Sequence, residues 1–301
     1  MIAKLRSRLP SKALFAAAFI ACPAYAQAGN VADSTTAPQT ASEICSTIPP
    51  VDYAQAKPYL ELVLIPGQKV DISKIAPEDM AKMMDLQKAS TERQAMDWAN
   101  LCRYAGDNAK LATDEKPVRT VFLGDSITEY WQQADPSLFS EAVLDRGISG
   151  QTTAQILLRF YPDVVALKPR VVHIMAGTND IAGNLGQVSD ETIIANIAAM
   201  LDIAKANNIG VVLASIPPAR FMGWKPGLTP APRIAALNQR LQMLAKARGA
   251  AYLDYHSRLK DDQGGFQTAL ANDGVHPNRD AYAIMRPMAE QAIRQAAAQK
   301  K

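Results

Sequence analysis

Four short stretches of this chain hold the residue types that acyl transfer needs: a hydroxyl nucleophile, a base, an acid to orient the base, and N–H donors for an oxyanion. Gly124-Asp125-Ser126 offers a serine, and Asn272-Asp273-Gly274-Val275-His276 offers a carboxylate three residues before an imidazole. Ala176-Gly177-Thr178-Asn179-Asp180 supplies a side-chain amide. Asp145-Arg146-Gly147-Ile148-Ser149-Gly150 adds glycines that let backbone N–H groups approach a ligand closely. Each stretch alone is also an ordinary turn, and Gly-Asp-Ser is common helix-capping chemistry. The functional reading depends on a fold that brings all four together.

The elements around them do so. Val118 to Leu123 is a β-branched, apolar run that ends at Gly124, so Ser126 is expected where a buried strand gives way to a helix. Orphan N–H groups and the helix dipole favour negative charge at such a place. Further strands are predicted at Ala142 to Leu144, Val171 to Met175, Ile209 to Ala214 and Ala250 to Leu253. Helical stretches lie between them. Ile193, Ile194, Ile197, Met200, Leu201 and Ala204 share one face behind Asp190 and Glu191, and Ile234, Leu237, Leu241 and Leu244 share another between Pro232 and Gly249. A last helix runs from about Asn278 to Ala298, with a kink expected at Pro287. This alternation predicts a parallel sheet covered by helices on both faces, with ligands bound beyond the carboxyl ends of the strands. The four stretches follow the first, second, third and fifth strands and are expected at that one edge.

In the blocks Gly-Asp-Ser-Ile-Thr, Arg-Gly-Ile-Ser-Gly-Gln-Thr-Thr, Gly-Thr-Asn-Asp and Asp-Gly-Val-His-Pro-Asn, the chain resembles the SGNH branch of the GDSL esterase/lipase family, over about residues 118 to 292. Bacterial members similar to platelet-activating-factor acetylhydrolase belong to this branch. The resemblance implies a flavodoxin-like, three-layer α/β/α fold with a five-stranded parallel sheet. It also implies Ser126 as nucleophile, His276 as base and Asp273 as the acid orienting it. The oxyanion hole would be the amides of Ser126 and Gly150 with the Asn179 side chain. No Gly-x-Ser-x-Gly elbow is present, which argues against the α/β-hydrolase fold.

The expected activity is that of a serine esterase on acyl esters, with an O-acetylated carbohydrate as one substrate and a lysophospholipase or lipase-like activity as the alternative. A non-catalytic carbohydrate-binding protein is the alternative from another class. No cofactor and no metal is expected, because three histidines and no Cys/His cluster leave no zinc spacing. The loop Ile216 to Gly227 leaves the same edge and carries Phe221 and Trp224, which either wall the pocket or pack the loop onto the sheet. Pro217, Pro218, Pro226 and Pro230 stiffen it, which favours a fixed wall and short acyl groups. His173, within a strand, and His256, after one, read as core or surface histidines. Asp180 is expected to brace its turn, Asp125 to cap a helix, and Arg146 to be structural.

At 301 residues with 48% hydrophobic content, the chain suits one large or two small domains. Residues 1 to 26 read as a signal peptide: Lys4, Arg6, Arg8 and Lys12 precede the apolar run Ala13 to Ala21, and Ala24-Tyr25-Ala26 is a cleavage site. A lipoprotein signal anchored at Cys22 is the alternative. Removing these residues, with four basic and no acidic side chains, takes the formal net charge from +3 to −1. No basic face for nucleic acid remains, and no apolar run is long enough to span a membrane. The partner expected is a small-molecule or glycan ester, in a secreted or periplasmic setting.

Residues 27 to 50 read as a flexible leader, 51 to 115 as a helical segment and 116 to 301 as the hydrolase domain. Within the segment, Pro77, Glu78 and Asp79 start one helix, and Thr91-Glu92-Arg93-Gln94 fits a capping box for a second, which would bury Trp98 in the core or, as the alternative, set it in the wall of a ligand groove. Cys45 and Cys102 either pair, as an oxidising compartment allows, or stay as buried thiols.

Overall fold

The computed structural model describes residues 41–113, 117–140 and 142–298, all within one compact unit. The signal peptide, Cys22 and the leader up to residue 40 lie outside the described residues. Five strands form an all-parallel sheet: β1 Thr120–Gly124, β2 Val143–Gly147, β3 Val171–Met175, β4 Gly210–Ala214 and β5 Ala251–Leu253, in the order β2-β1-β3-β4-β5. This is the flavodoxin-like order, whose direction reverses between β1 and β3, so a crevice opens beyond their carboxyl ends.

Side chains alternate across the pleat and build two cores. Val121 and Leu123 of β1 face one, and Phe122 faces the other. The chain begins with α1 Ala41–Ser46, α2 Lys57–Leu64, α3 Pro77–Met96 and α4 Ala105–Thr113. After β1 comes α5 Ser126–Ala134, and after β2 the short α6 Thr153–Leu158 and α7 Phe160–Asp163. The turn after β3 forms α8 Thr178–Ala182, followed by α9 Asp190–Ala206; α10 Ala231–Arg248 precedes β5, and α11 Tyr255–Leu259 and α12 Arg279–Ala298 follow it. Helices α6, α9 and α10 cover the first face through Ile156, Ile193, Ile197, Ile234 and Leu237. Helices α5 and α12 cover the second through Ile127, Trp131, Tyr282 and Met285, where Leu64 of α2 joins them. Both faces are therefore sealed, as an all-parallel sheet requires. Pro287 lies within α12, which is continuous.

Three expectations need correction. The leader was expected to extend to residue 50, but residues 41 to 46 are helical and Cys45 is disulfide-bonded to Cys102. Thr91 starts no second helix: α3 runs through it to Met96, and its hydroxyl donates to the Gln87 carbonyl at 2.9 Å inside the helix. Trp98 accordingly falls in the irregular stretch after α3 and is 45% exposed rather than core. Strand β2 continues past Leu144 through Asp145 and Arg146, because the Arg146 guanidinium finds the Asn108 side-chain oxygen of α4 at 2.7 and 3.0 Å. The Arg146 guanidinium can thus lie in a buried edge strand because its N–H groups are met by hydrogen-bond acceptors.

Candidate active site

Strand β1 ends at Gly124, where a Cβ would collide with the Thr128 side chain and come within 2.6 Å of the Met175 carbonyl oxygen. Asp125 then caps α5, its Oδ1 accepting the Ile127 N–H at 3.0 Å. Ser126 is thereby the first residue of α5, and its Oγ lies 2.9 Å from His276 Nε2. Burial pushes the Asp125 carboxyl up to about 6, against the opposing pull of the Ile127 N–H and His276.

The loop after α11 folds on Asp273. Its Oδ1 accepts the N–H groups of Val275 at 2.9 Å and His276 at 2.8 Å, and its Oδ2 lies 2.6 Å from His276 Nδ1. Burial alone would raise the Asp273 carboxyl, but His276 and these two N–H groups hold it down at about 2. Burial alone would likewise lower His276, and the Asp273 carboxylate, helped by Asp125, holds it above the ordinary histidine value. Ser126, His276 and Asp273 therefore form a continuous chain of contacts in which the imidazole joins hydroxyl to carboxylate.

Around Ser126 lie the donors. The Ser126 and Gly150 amides donate to no atom among the described residues, as the start of a helix and an exposed turn allow. Gly150 has φ +79° and open space beside it, the left-handed conformation that glycine adopts without strain. The Asn179 Nδ2 donates to the Gln151 carbonyl at 3.0 Å and to Asp125 Oδ2 at 3.3 Å. The amide is oriented from behind: Asn184 Nδ2 donates to Asn179 Oδ1 at 2.7 Å, and Trp224 Nε1 donates to Asn184 Oδ1 at 3.1 Å. Asp180 braces the turns as expected, accepting the Thr153 N–H at 2.9 Å and hydroxyl at 2.7 Å.

Aromatic rings surround the histidine. The Tyr130 and Trp224 rings lie 5.0 and 6.1 Å from the imidazole, centre to centre. The Phe221 ring rests on Gly274, where a Cβ would come within 2.7 Å of it. Phe221 and Trp224 are 49% and 42% exposed, so they line the surface beside His276 rather than pack into the sheet. A groove of about 1090 Å³ runs from Trp224, Asn184 and Gly150 to α3. A second cleft of about 280 Å³ lies by Gly210 and Gly249, at the opposite edge of the sheet from Ser126.

The structure brings Ser126, Gly150, Asn179, Asp273, His276, Phe221 and Trp224 to one edge. The sequence reading missed four residues that hold them. The buried Arg159 guanidinium donates to the Gly124 and Arg146 carbonyls, each at 2.7 Å, and so ties the ends of β1 and β2 together. Asn184 is the second; the third is Asn272, whose Nδ2 lies 2.6–2.9 Å from the carbonyls of Leu62 and Val63 in the last turn of α2 and of Ile65 just after it. Tyr59 is the fourth, its hydroxyl donating to Asp273 Oδ2 at 3.4 Å. Only Asn184 stands close enough in sequence to its partner to have given a signal. His173 is a core histidine, stacked 4.7 Å from the Phe122 ring, 3.1 Å from the Tyr255 hydroxyl, and lowered by burial to about 3.

A profile of the GDSL-like lipase/acylhydrolase family matches residues 122–284. The chain is similar to the structure of a proposed acylhydrolase from Bacteroides fragilis, with 42% identity and a TM-score of 0.64 over 66% of this chain and 98% of that one. It is similar also to a GDSL-like lipase from Bacteroides thetaiotaomicron, with 40% identity and a TM-score of 0.63 over the same shares. An uncharacterized lipoprotein of Bacillus subtilis, YqeF, is 34% identical over 79 residues, which span 25% of this chain and 32% of that protein's length.

Proposed function

The chain belongs to the GDSL-like lipase/acylhydrolase family and is a carboxylic ester hydrolase; from that premise we propose that it works as an exported serine esterase removing short acyl groups, acetyl above all, from carbohydrate esters. The observation that carries this reading is the contact chain Ser126 Oγ, His276, Asp273, at 2.9 and 2.6 Å. Neutral His276 takes the Ser126 proton at Nε2 as Oγ attacks the ester carbonyl, while its Nδ1–H stays with Asp273. The oxyanion is held by the Ser126 and Gly150 amides, and by Asn179 once its longer bond to Asp125 is exchanged for the substrate. His276 then protonates the leaving alcohol, and the acyl group stays on Oγ. Water, deprotonated by the same imidazole, attacks the acyl carbon; as the bond from that carbon to Oγ breaks, His276 passes the proton to Oγ, releasing the carboxylic acid and restoring the Ser126 hydroxyl and neutral His276.

The short-acyl preference is supported by Phe221 and Trp224. Phe221 is seated on the loop that carries His276, and Trp224 is bonded through Asn184 to Asn179, so neither ring can swing away without disturbing the site. Export is supported by the signal-like amino terminus and by the Cys45–Cys102 disulfide, which suits an oxidising compartment. No helix among the described residues is long and apolar enough to cross a membrane. An exported protein beginning at Gln27 fits cleavage after Ala26, whereas one beginning at a lipid-modified Cys22 would show anchoring.

Nitrophenyl esters of graded length test the reading. With the chain starting at Gln27, kcat/KM is expected to fall from acetate to octanoate. A higher kcat/KM on octanoate would overturn the short-acyl reading in favour of a lipase-like or lysophospholipase activity.

A further inference from the structure

The groove that reaches the site at Tyr130, Gly150, Asn184 and Trp224 is far larger than a short acyl group fills, and its outer wall comes from outside residues 122–284. Helix α3 supplies that wall from one face: Met83, Leu86, Gln87, Ser90, Thr91 and Gln94 recur at helical spacing. Facing them are Tyr130, Gln132 and Gln133 of α5, while Ser149 and Gly150 lead to the oxyanion side. The side-chain amides of Gln94, Gln132 and Gln133 have no hydrogen-bond partner among the described residues. Each offers donors and an acceptor to a ligand.

Charge narrows the choice of ligand. Two cations line the groove, Lys57 and Arg103, beside Asp52, Asp107 and Glu129. Arg103 is already engaged, 3.1 Å from Glu129 and stacked 3.7 Å over the Tyr53 ring. A phosphate headgroup would meet one available ammonium and a net negative wall, not the guanidinium forks that phosphate sites use. An uncharged chain of sugars meets what the groove offers: amides for its hydroxyls, and the Tyr130 and Trp224 rings for the C–H faces of its rings.

We propose that this groove binds an uncharged oligosaccharide, presenting the O-acyl group of one sugar to Ser126 while flanking sugars lie against the α3 face. The proposal rests on the esterase reading above and specifies the alcohol side of its substrate. The test measures kcat/KM of the protein from Gln27 onward on O-acetylated xylo-, gluco- and manno-oligosaccharides of one to six units, beside 4-nitrophenyl acetate and lysophosphatidylcholine. For at least one sugar backbone, kcat/KM is expected to rise about tenfold or more between one and four units, as one or two added hydrogen bonds allow. In Gln94→Ala/Gln133→Ala, the ratio of kcat/KM on the tetrasaccharide to that on 4-nitrophenyl acetate should drop by about the same factor. A flat length dependence in all three series overturns the proposal. So does an unchanged ratio in the variant, or lysophosphatidylcholine hydrolysed faster than every saccharide. No turnover of any ester, with deacetylated tetrasaccharide still binding and still weakened by the double substitution, supports the groove and sinks the esterase reading alone.

Discussion

The carboxyl edge of the sheet and the segment from α1 to α4 are both held by hydrogen bonds, but of different reach. At the edge, the two acids nearest Ser126 and His276 are fixed within two or three residues of themselves, Asp125 by Ile127 and Asp273 by Val275 and His276, while Asn179 and Asp180 are tied across the turns to Gln151 and Thr153. The segment is held by partners far along the chain. The Tyr104 hydroxyl donates to the Gly147 carbonyl at 2.5 Å, Gln151 and Gln155 donate to the carbonyls of Ala99 and Trp98 at 2.8 and 2.7 Å, and Asn272 binds the end of α2. Arg93 is the one buried residue of α3, so apolar burial contributes little to holding that helix in place. Local bonds thus set the two acids and bonds between turns set the amide, whereas the wall beside them is attached by distant partners alone. Damage to the edge should appear in kcat, and damage to the segment in stability and in use of large substrates.

The largest effect is expected at Ser126. Ser126→Ala should lower kcat by about 10⁴-fold or more while the thermal midpoint stays near that of the wild type; His276→Ala should match it, and Asp273→Asn should cost less because the carboxylate transfers no proton. A variant retaining a tenth of wild-type activity would break the assignment.

These same groups set a pH dependence. In the proposed role of base His276 must be neutral, and Asp273 raises it, so kcat/KM should fall with acid through a midpoint above the ordinary histidine value. Asp273→Asn removes that charge, leaves burial opposed only by the weaker pull of Asp125, and should move the acid limb to lower pH. A limb that does not move would deny the coupling.

Next comes Asn179, the proposed side-chain donor to the oxyanion. Asn179→Ala should cost about 10²–10³ in kcat. Asn184→Ala, which frees the Asn179 amide to turn, should cost less, with the loss in kcat rather than KM. Asn184→Gln should restore part of it. An Asn184→Ala loss carried by KM alone would show that Asn184 binds substrate instead of orienting Asn179.

The smallest effect on chemistry is expected in the segment. Replacing Cys45 and Cys102 by serine opens a closure over 57 residues and should lower stability by about 4 kcal/mol in the chain-entropy treatment. The kcat on 4-nitrophenyl acetate should change far less than in Ser126→Ala. A loss of kcat comparable to that of Asn179→Ala would erase the distinction between the two regions.

The same difference in reach explains what the sequence made legible. Strand β3 falls at Val171–Met175 as predicted, and β1, β4 and β5 lie within two residues of their expected bounds, because periodicity and turn residues act locally. The four turns converge because a parallel sheet places them at one edge. Strand β2 was cut short at Asp145, since Asn108, the partner that lets Arg146 be buried, lies 38 residues away. Trp98 was expected inside because helical spacing was extended past the end of α3. Tyr59 and Asn272 met partners more than 200 residues distant, and no pattern in either stretch announces the other.

The most direct measurement of the central claim is covalent labelling. A fluorophosphonate captures a serine only where the hydroxyl is activated and the developing charge is held. Inactivation of the protein from Gln27 onward should leave one adduct, which peptide mass spectrometry places on Ser126, and labelling should slow sharply in His276→Ala. An inactivating adduct on another serine, or full esterase activity with Ser126 labelled, would contradict it.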